Sequence, residues 1–263
     1  MPSIAALTVC VMDEFPQKNV SGPGGNSLNF ALGCRKFPWD QVSMIGAVGD
    51  DPAGAEIQKL LAKKGINTER LYIREGATAN NKIYITEAGE RYAYPEDWHG
   101  GVYENFRLSE EDWDFVFQHD WIASTFYDPN LPELLRRIED YDNFLSIDCL
   151  DSPPVQTLGT FLDKLDLAFI SCEVPEIGQY RRLAGETPII LMLGAKGSLA
   201  WADGREYRQP ALPVDKVIDT TGCGDAFQAA FCSTWFQTRD VEQSLHAGAE
   251  AGREILSVVG GCG

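Results

Sequence analysis

Short apolar runs and helical stripes alternate along most of this chain. Ile4 to Met12 is the first run, dense in β-forming side chains, and predicts a buried strand that ends at Asp13. A turn-rich stretch follows, Ser21-Gly22-Pro23-Gly24-Gly25-Asn26. Leu28, Ala31, Leu32 and Cys34 then recur near helical spacing, up to about Phe37-Pro38. Gln41 to Val48 reads as a strand. Asp51-Pro52 opens a helix with Ile57, Leu60 and Leu61 on one side, closed by Gly65. Farther on, the alternation gives strands over 121–124, 144–148, 167–170, 188–193 and 214–218. It gives helices over 109–117, 131–139, 174–182, 225–236 and 241–257, the first started by Ser109 with Asp112 three residues on. This alternation predicts an α/β fold whose mostly parallel sheet is covered by helices on both faces.

The segment from Arg70 to Tyr94 departs from that rhythm. Leu71-Tyr72-Ile73 and Lys82-Ile83-Tyr84-Ile85-Thr86 alternate apolar and polar, Ala88-Gly89-Glu90 is a turn, and Arg91-Tyr92-Ala93-Tyr94 returns. One wet face and one covered face predict a small antiparallel sheet beside the large one.

Charge narrows the partners. The 263 residues carry 22 basic and 39 acidic side chains, a formal charge of −17. Such a surface argues against nucleic acid as the main partner. A small phosphate ligand remains compatible, because a few backbone N–H groups hold one whatever the net charge. The seven cysteines include no Cys-x-x-Cys and mostly sit in apolar runs, which suits a reducing compartment. His99, His119 and His246 are not spaced as a zinc set. No segment is long and apolar enough to span a membrane, and Met1-Pro2-Ser3-Ile4-Ala5-Ala6 has no basic n-region. A soluble, cytoplasmic protein without a membrane partner is expected.

Three glycine-bearing corners carry the candidate chemistry. In Asp219-Thr220-Thr221-Gly222-Cys223-Gly224-Asp225 a strand is expected to end, a Gly-x-Gly turn follows, and an almost wholly apolar helix begins at an acid. The backbone of Gly222, Cys223 and Gly224 would form an anion hole on a helix N-terminus, with Asp225 placed to accept a hydroxyl proton during phosphoryl transfer. The plainer alternative is that Asp225 only caps the helix. In Gly22-Pro23-Gly24-Gly25-Asn26-Ser27-Leu28-Asn29, glycines allow close approach of a polyol and the amides both donate and accept. Equally, Asn26 there could serve only as a helix cap. Leu193-Gly194-Ala195-Lys196-Gly197 either approaches a nucleotide or is a plain hairpin turn. No Gly-x-Gly-x-x-Gly and no Walker A sequence occurs, which counts against a nicotinamide oxidoreductase.

Taken together, these stretches resemble the ribokinase-like (PfkB) family of carbohydrate kinases. Asp219 to Asp225 resembles the family's C-terminal signature, with Cys223 where alanine is usual. Gly24-Gly25 with Asn29 and Ala31 resembles its N-terminal signature, and Gly46-Ala47-Val48-Gly49-Asp50-Asp51 with Gly54 another recurring stretch. The resemblance implies a three-layer α/β/α sandwich with a mostly parallel sheet, as a single kinase domain over residues 1–263. A small β-sheet lid of about 13–22 and 70–100 would close over the sugar and serve as a homodimer interface. It implies ATP and Mg²⁺, and leaves a monovalent cation such as K⁺ open. It makes Asp225 the base, Asp13, Gly24, Gly25 and Asn29 the sugar contacts, and Gly194, Gly197 and Thr220 the nucleotide contacts. Glu176 becomes the Mg²⁺-organising acid of an Asn-x-x-Glu motif whose asparagine is replaced here, by Glu173 or Cys172. Asp13-Glu14-Phe15-Pro16-Gln17, Glu96-Asp97-Trp98 and Leu108-Ser109-Glu110-Glu111-Asp112 are similar to family members that phosphorylate fructoselysine or a related fructosamine at the 6-hydroxyl. Glu14, Glu96 or Asp97 would face the cationic arm of such a sugar, with Tyr94 and Trp98 stacking on it or packing the lid. Fructose, ribose or a nucleoside are the alternative acceptors, and a non-catalytic sugar or nucleotide binder is the rival of another class.

Overall fold

The computed structural model describes residues 2–257 and 259–261. The chain enters through β1 (Ser3–Thr8), whose side chains alternate between two cores. Ile4 and Ala6 face one, Ala5 and Leu7 the other, and all four are fully buried. A strand buried on both faces belongs in the middle of a covered parallel sheet. The large sheet around it runs in the order β15-β14-β13-β12-β11-β10-β1-β4-β5. Its members are β4 (Gln41–Gly49), β5 (Leu71–Arg74), β10 (Trp121–Thr125), β11 (Phe144–Asp151), β12 (Leu167–Ser171), β13 (Ile189–Met192), β14 (Ser198–Ala202) and β15 (Arg205–Gln209). Strands β13 to β5 in that order are parallel, while β14 and β15 are antiparallel.

Helices cover both faces. On one side lie α1 (Asn26–Cys34), α2 (Pro52–Lys63), α7 (Cys223–Thr238) and α8 (Val241–Ile255), contributing Leu28, Ile57, Phe231 and Leu245 to the core. On the other lie α3 (Glu110–Val116), α4 (Leu131–Arg137), α5 (Val155–Leu158) and α6 (Ile177–Arg181), contributing Trp113, Leu134, Leu158 and Tyr180. Helix α3 starts on the expected capping box, with the Ser109 and Asp112 side chains each bonded to the other's backbone. The fold is the expected α/β/α sandwich.

A second sheet, in the order β3-β2-β6-β9, sits beside it. It comprises β2 (Val11–Phe15), β3 (Val20–Gly24), β6 (Asn80–Lys82) and β9 (Trp98–His99). The hairpin of β7 (Tyr84–Ile85) and β8 (Arg91–Tyr92) extends from it, tied back by the Ile85 N–H donating to Gln17 Oε1 at 2.7 Å.

Three expectations need correction, and one hairpin was not foreseen. The run Ile4 to Met12 is two strands, not one. Thr8 adopts φ 76°, and the chain leaves the large sheet there to enter the small one. Both halves are buried, so the apolar pattern runs through the bend without a mark. Leu71–Arg74 pairs with β4 and so belongs to the large sheet. Residues 214–218 form no strand; Ile218 donates to Leu256 O at 2.8 Å instead, and β15 already ends the sheet. The β14–β15 hairpin was missed, although Asp203-Gly204, both at positive φ, is a recognised hairpin signal.

Phe231 is fully buried and meets Phe169 edge-on, ring centroids 5.4 Å apart. Phe231→Ala should lower the unfolding free energy by about 3–5 kcal/mol, read from urea denaturation. A change below about 1 kcal/mol would contradict the packing described.

Candidate active site

The C-terminal ends of the parallel strands face the start of α7, the usual ligand side of an open α/β sheet. Gly222 is the N-cap of α7, at φ 78°, and a Cβ there would fall 2.3 Å from Gly261 Cα. Both the conformation and the contact therefore require glycine. The N–H groups of a first helical turn have no acceptor inside the helix. Ala226 N–H closes the first α-helical bond on Gly222 O, and Cys223 N–H turns to Thr220 O at 3.2 Å. Of the three residues expected in an anion hole, Cys223 is thus already engaged. Its thiol is pushed up to about 12, by burial first and then by Asp219 and Asp225, so it is no thiolate.

Asp225 does not cap the helix. Its Oδ2 accepts from Asn29 Nδ2 at 2.9 Å and its Oδ1 from Asn26 Nδ2 at 3.2 Å. Only 7% of it is exposed. Burial raises its carboxyl to about 7, with Asp148 adding to the rise and the two amides opposing it. A carboxylate held near neutrality, tethered by two amides at a helix N-terminus, suits proton exchange with a hydroxyl at ordinary pH.

Asp13 lies in the middle of β2, not at a strand end, and is equally buried. Burial lifts it to about 7; Arg91 pulls it down, and Asp225 and Asp219 push it up. It lies across Gly24, where a Cβ would sit 1.9 Å from Asp13 Oδ2. Only glycine leaves room for the carboxylate there. Gly25, and not Asn26, is the N-cap of α1, and Asn29 is buried one turn on. Asp13, Gly24, Gly25, Asn29 and Asp225 therefore converge on one spot.

Of the other expected residues, Thr220 lies just before α7, Gly194 and Gly197 follow β13, and Glu176 follows β12. Gly194 and Gly197 bracket the turn from β13 to β14, with Leu193 N–H donating to Gly197 O. This turn lies beside α7, since Met192 Cε comes within 3.7 Å of a Cβ built at Gly224. Thr220, expected to meet a nucleotide, turns its N–H and its hydroxyl to the small hairpin. Its N–H donates to Gly89 O, and its hydroxyl accepts from Arg91 N–H, both at 3.1 Å. Glu176 follows β12, and its Oε2 accepts from Ser152 Oγ at 2.7 Å and Glu173 N–H at 2.8 Å. Those bonds hold it below the usual carboxylate range. Among the described residues no group of three or more His, Cys, Asp or Glu could hold a metal. Mg²⁺ is typically held by one or two carboxylates, with waters and phosphate oxygens completing the shell. A lone ionised acid such as Glu176 fits that pattern.

Sequence reasoning missed Asp148 and Arg91, and read Asn26 only as a polyol contact or a helix cap. Asn26 bridges two acids, Asp148 stands behind Asp225, and Arg91 reaches the site electrostatically from the hairpin, lowering Asp13, Asp225 and Cys223. Of the acids expected to face a cationic arm, Asp97 is paired with Lys82 at 3.7 Å. Tyr94 and Trp98 are partly exposed, and Trp98 meets Tyr103 edge-on at 6.0 Å.

Known proteins resemble this chain in sequence and in fold. Residues 12–263 match the profile described as pfkB family carbohydrate kinase. The chain is 30% identical over 270 residues to fructoselysine 6-kinase of Escherichia coli (strain K12), covering 99% of each chain. It is 28% identical to fructosamine kinase FrlD of Bacillus subtilis (strain 168), over 96% of this chain and 90% of that one. Ribokinase from Cryptococcus neoformans var. grubii serotype A, solved in complex with ADP, superposes with a TM-score of 0.81 at 20% identity, over 99% of this chain and 95% of that one. The chain belongs to the pfkB family of carbohydrate kinases, phosphotransferases that act on an alcohol group.

Asp13 and Asp225 hold protons more tightly when folded than the ordinary 3.8. The folded state therefore binds more protons between about pH 4 and 7, and stability falls as pH rises through that window. Asp13→Asn and Asp225→Asn should each melt a few degrees above the wild type at pH 8, with the gap closing by pH 4. Equal melting temperatures at pH 8 would show that neither acid is buried as described.

Proposed function

We propose that the protein is an ATP-dependent kinase of fructoselysine or a related fructosamine, phosphorylating the 6-hydroxyl. Asp225 carries the catalytic part of this reading: a buried carboxylate, oriented by Asn26 and Asn29, at the start of a helix that opens with glycine. The acceptor class is supported by the two full-length relatives whose names specify fructosamine sugars. Asp13 and Asn29 would hold the sugar hydroxyls, one accepting and the other donating. As the acceptor oxygen attacks the γ-phosphoryl group, Asp225 takes its proton, and the N–H groups at the start of α7 meet the charge on the transferring group. Arg91 adds positive charge from the hairpin side. Gly194 and Gly197 would face the nucleotide, and Glu176 would hold Mg²⁺, which when bound neutralises charge on the phosphates. The small sheet acts as a lid that excludes water, a competing acceptor. Its exposed Val20, Tyr94 and Trp98 suit a second copy of the chain. The thiols of Cys34, Cys149 and Cys232, buried and unbridged, suit a cytoplasmic setting.

Asp225→Asn should cut turnover by orders of magnitude while sugar affinity stays near that of the wild type; near-normal turnover would remove Asp225 as the base. In an ADP-release screen across fructosamines, hexoses, pentoses and nucleosides, a fructosamine should give the highest kcat/KM. A faster plain sugar or nucleoside would overturn the acceptor assignment and leave the kinase assignment standing.

A further inference from the structure

Behind Asp225 lies a second buried acid. Asp148, on β11, is 6% exposed and shares a narrow polar cavity with Asn26, Ser27, Ser124, Thr125, Ser146, Asp225 and Gln228. One amide joins the two acids: Asn26 Nδ2 donates to Asp148 Oδ2 at 3.0 Å and to Asp225 Oδ1 at 3.2 Å. An NH₂ group has two hydrogens, so this bridge uses both. The other oxygen of Asp148 accepts from Leu150 N–H at 3.0 Å, in a turn where Leu150 adopts φ 58°. Asp148 is therefore fixed from the β11 side, and through Asn26 it fixes Asp225.

We propose that Asp148 is a positioning residue for the Asp225 base, acting through the shared Asn26 amide and through its own buried charge. The inference rests on the kinase reading, since it gives Asp148 a role in setting that base. The charged groups around Asp225 come from several elements: Asp148 of β11, Asp13 of β2, Arg91 of β8, and Asp219 just before α7, which also bears on Asp13 and Cys223. Asp148 is the charged neighbour that raises Asp225 most, while Arg91 opposes it. Removing the Asp148 charge should let Asp225 ionise at lower pH. Removing the amide that stabilises the ionised form should do the reverse.

The test compares Asp148→Asn and Asn26→Ala with the wild type by two readouts. One is the acid limb of the kcat/KM profile with the best acceptor; the other is the carboxyl ¹³C titration of Asp225 by NMR, which needs no turnover. Asp148→Asn keeps an oxygen for Leu150 N–H. It should move both midpoints down by about one pH unit, whereas Asn26→Ala should move both up. A residue with only a structural role would change stability and leave the midpoints in place. Midpoints that stay put in a folded Asp148→Asn protein, or that fail to rise in Asn26→Ala, overturn the proposal. If Asp148→Asn does not fold, the direction of the Asn26→Ala shift decides. If no acceptor is turned over while the NMR midpoints move in opposite directions, the coupling stands and the kinase reading fails instead.

Discussion

The close approach of α1 to α7 underlies the rest of the site. Two amides on one helix must reach a carboxylate on the other, and ordinary interaxial distances of 8–10 Å set the reach. A Cβ at Gly33 would lie 2.7 Å from Ala229 Cβ, so the two helices meet through small residues. Asn26 and Asn29, three residues apart on α1, then lie on the same face toward Asp225. Both helices also pack on one face of the large sheet, which fixes their height relative to the strand ends. The burial that this packing brings is what, ahead of the nearby Asp148, raises the carboxyl toward neutrality. Scaffold rigidity and proton affinity thus have one cause.

How much of this was legible depended on whether the relevant partner was local. Asp225, Gly222 and Gly224 announced themselves because a Gly-x-Gly corner opening a buried helix is a short-range pattern. Asp13, Gly25 and Asn29 were expected from family likeness, and the structure adds why Gly24 is needed beside Asp13. Asp148 gave no such signal. It closes a strand-like run, and its partner Asn26 lies 122 positions away. Arg91 looked like one polar residue of a wet strand, and only the docking of the hairpin brings it near the acids. The same logic holds for the fold. Helix α3 carried its capping box in four residues, whereas the bend at Thr8 falls inside a run that is apolar on both sides. Residues 214–218 look like a strand locally, but the Ile218 N–H is engaged by Leu256 O and the segment joins neither sheet.

Net charge is a poor guide to a site of this kind. The chain carries −17 overall, and its central acids are crowded as well. The positive contributions that the proposed site would offer a phosphate are local: helix-start N–H groups and one arginine on a hairpin. These act at short range in a poorly screened setting, where a few oriented groups outweigh a distant, solvent-screened surface.

The clasp between the hairpin and the Thr220 loop has a kinetic meaning. It consists of two hydrogen bonds, Thr220 N–H to Gly89 O and Arg91 N–H to Thr220 Oγ1, with Gly89 set against Val217. Two such bonds are worth about 1–3 kcal/mol together, which corresponds to an open fraction of roughly 1–15%. If the small sheet is the proposed lid, that would be tight enough to keep it shut for most of a turnover and loose enough for sugar to enter and product to leave without large-scale unfolding. Hydrogen exchange at the Thr220 and Arg91 amides reads that equilibrium directly. Because the same loop carries the glycines at the start of α7, breaking these two bonds would, on the lid reading proposed above, also loosen one wall of the proposed anion-binding corner. Under that proposal, access and readiness for chemistry would be mutually exclusive states of a single joint.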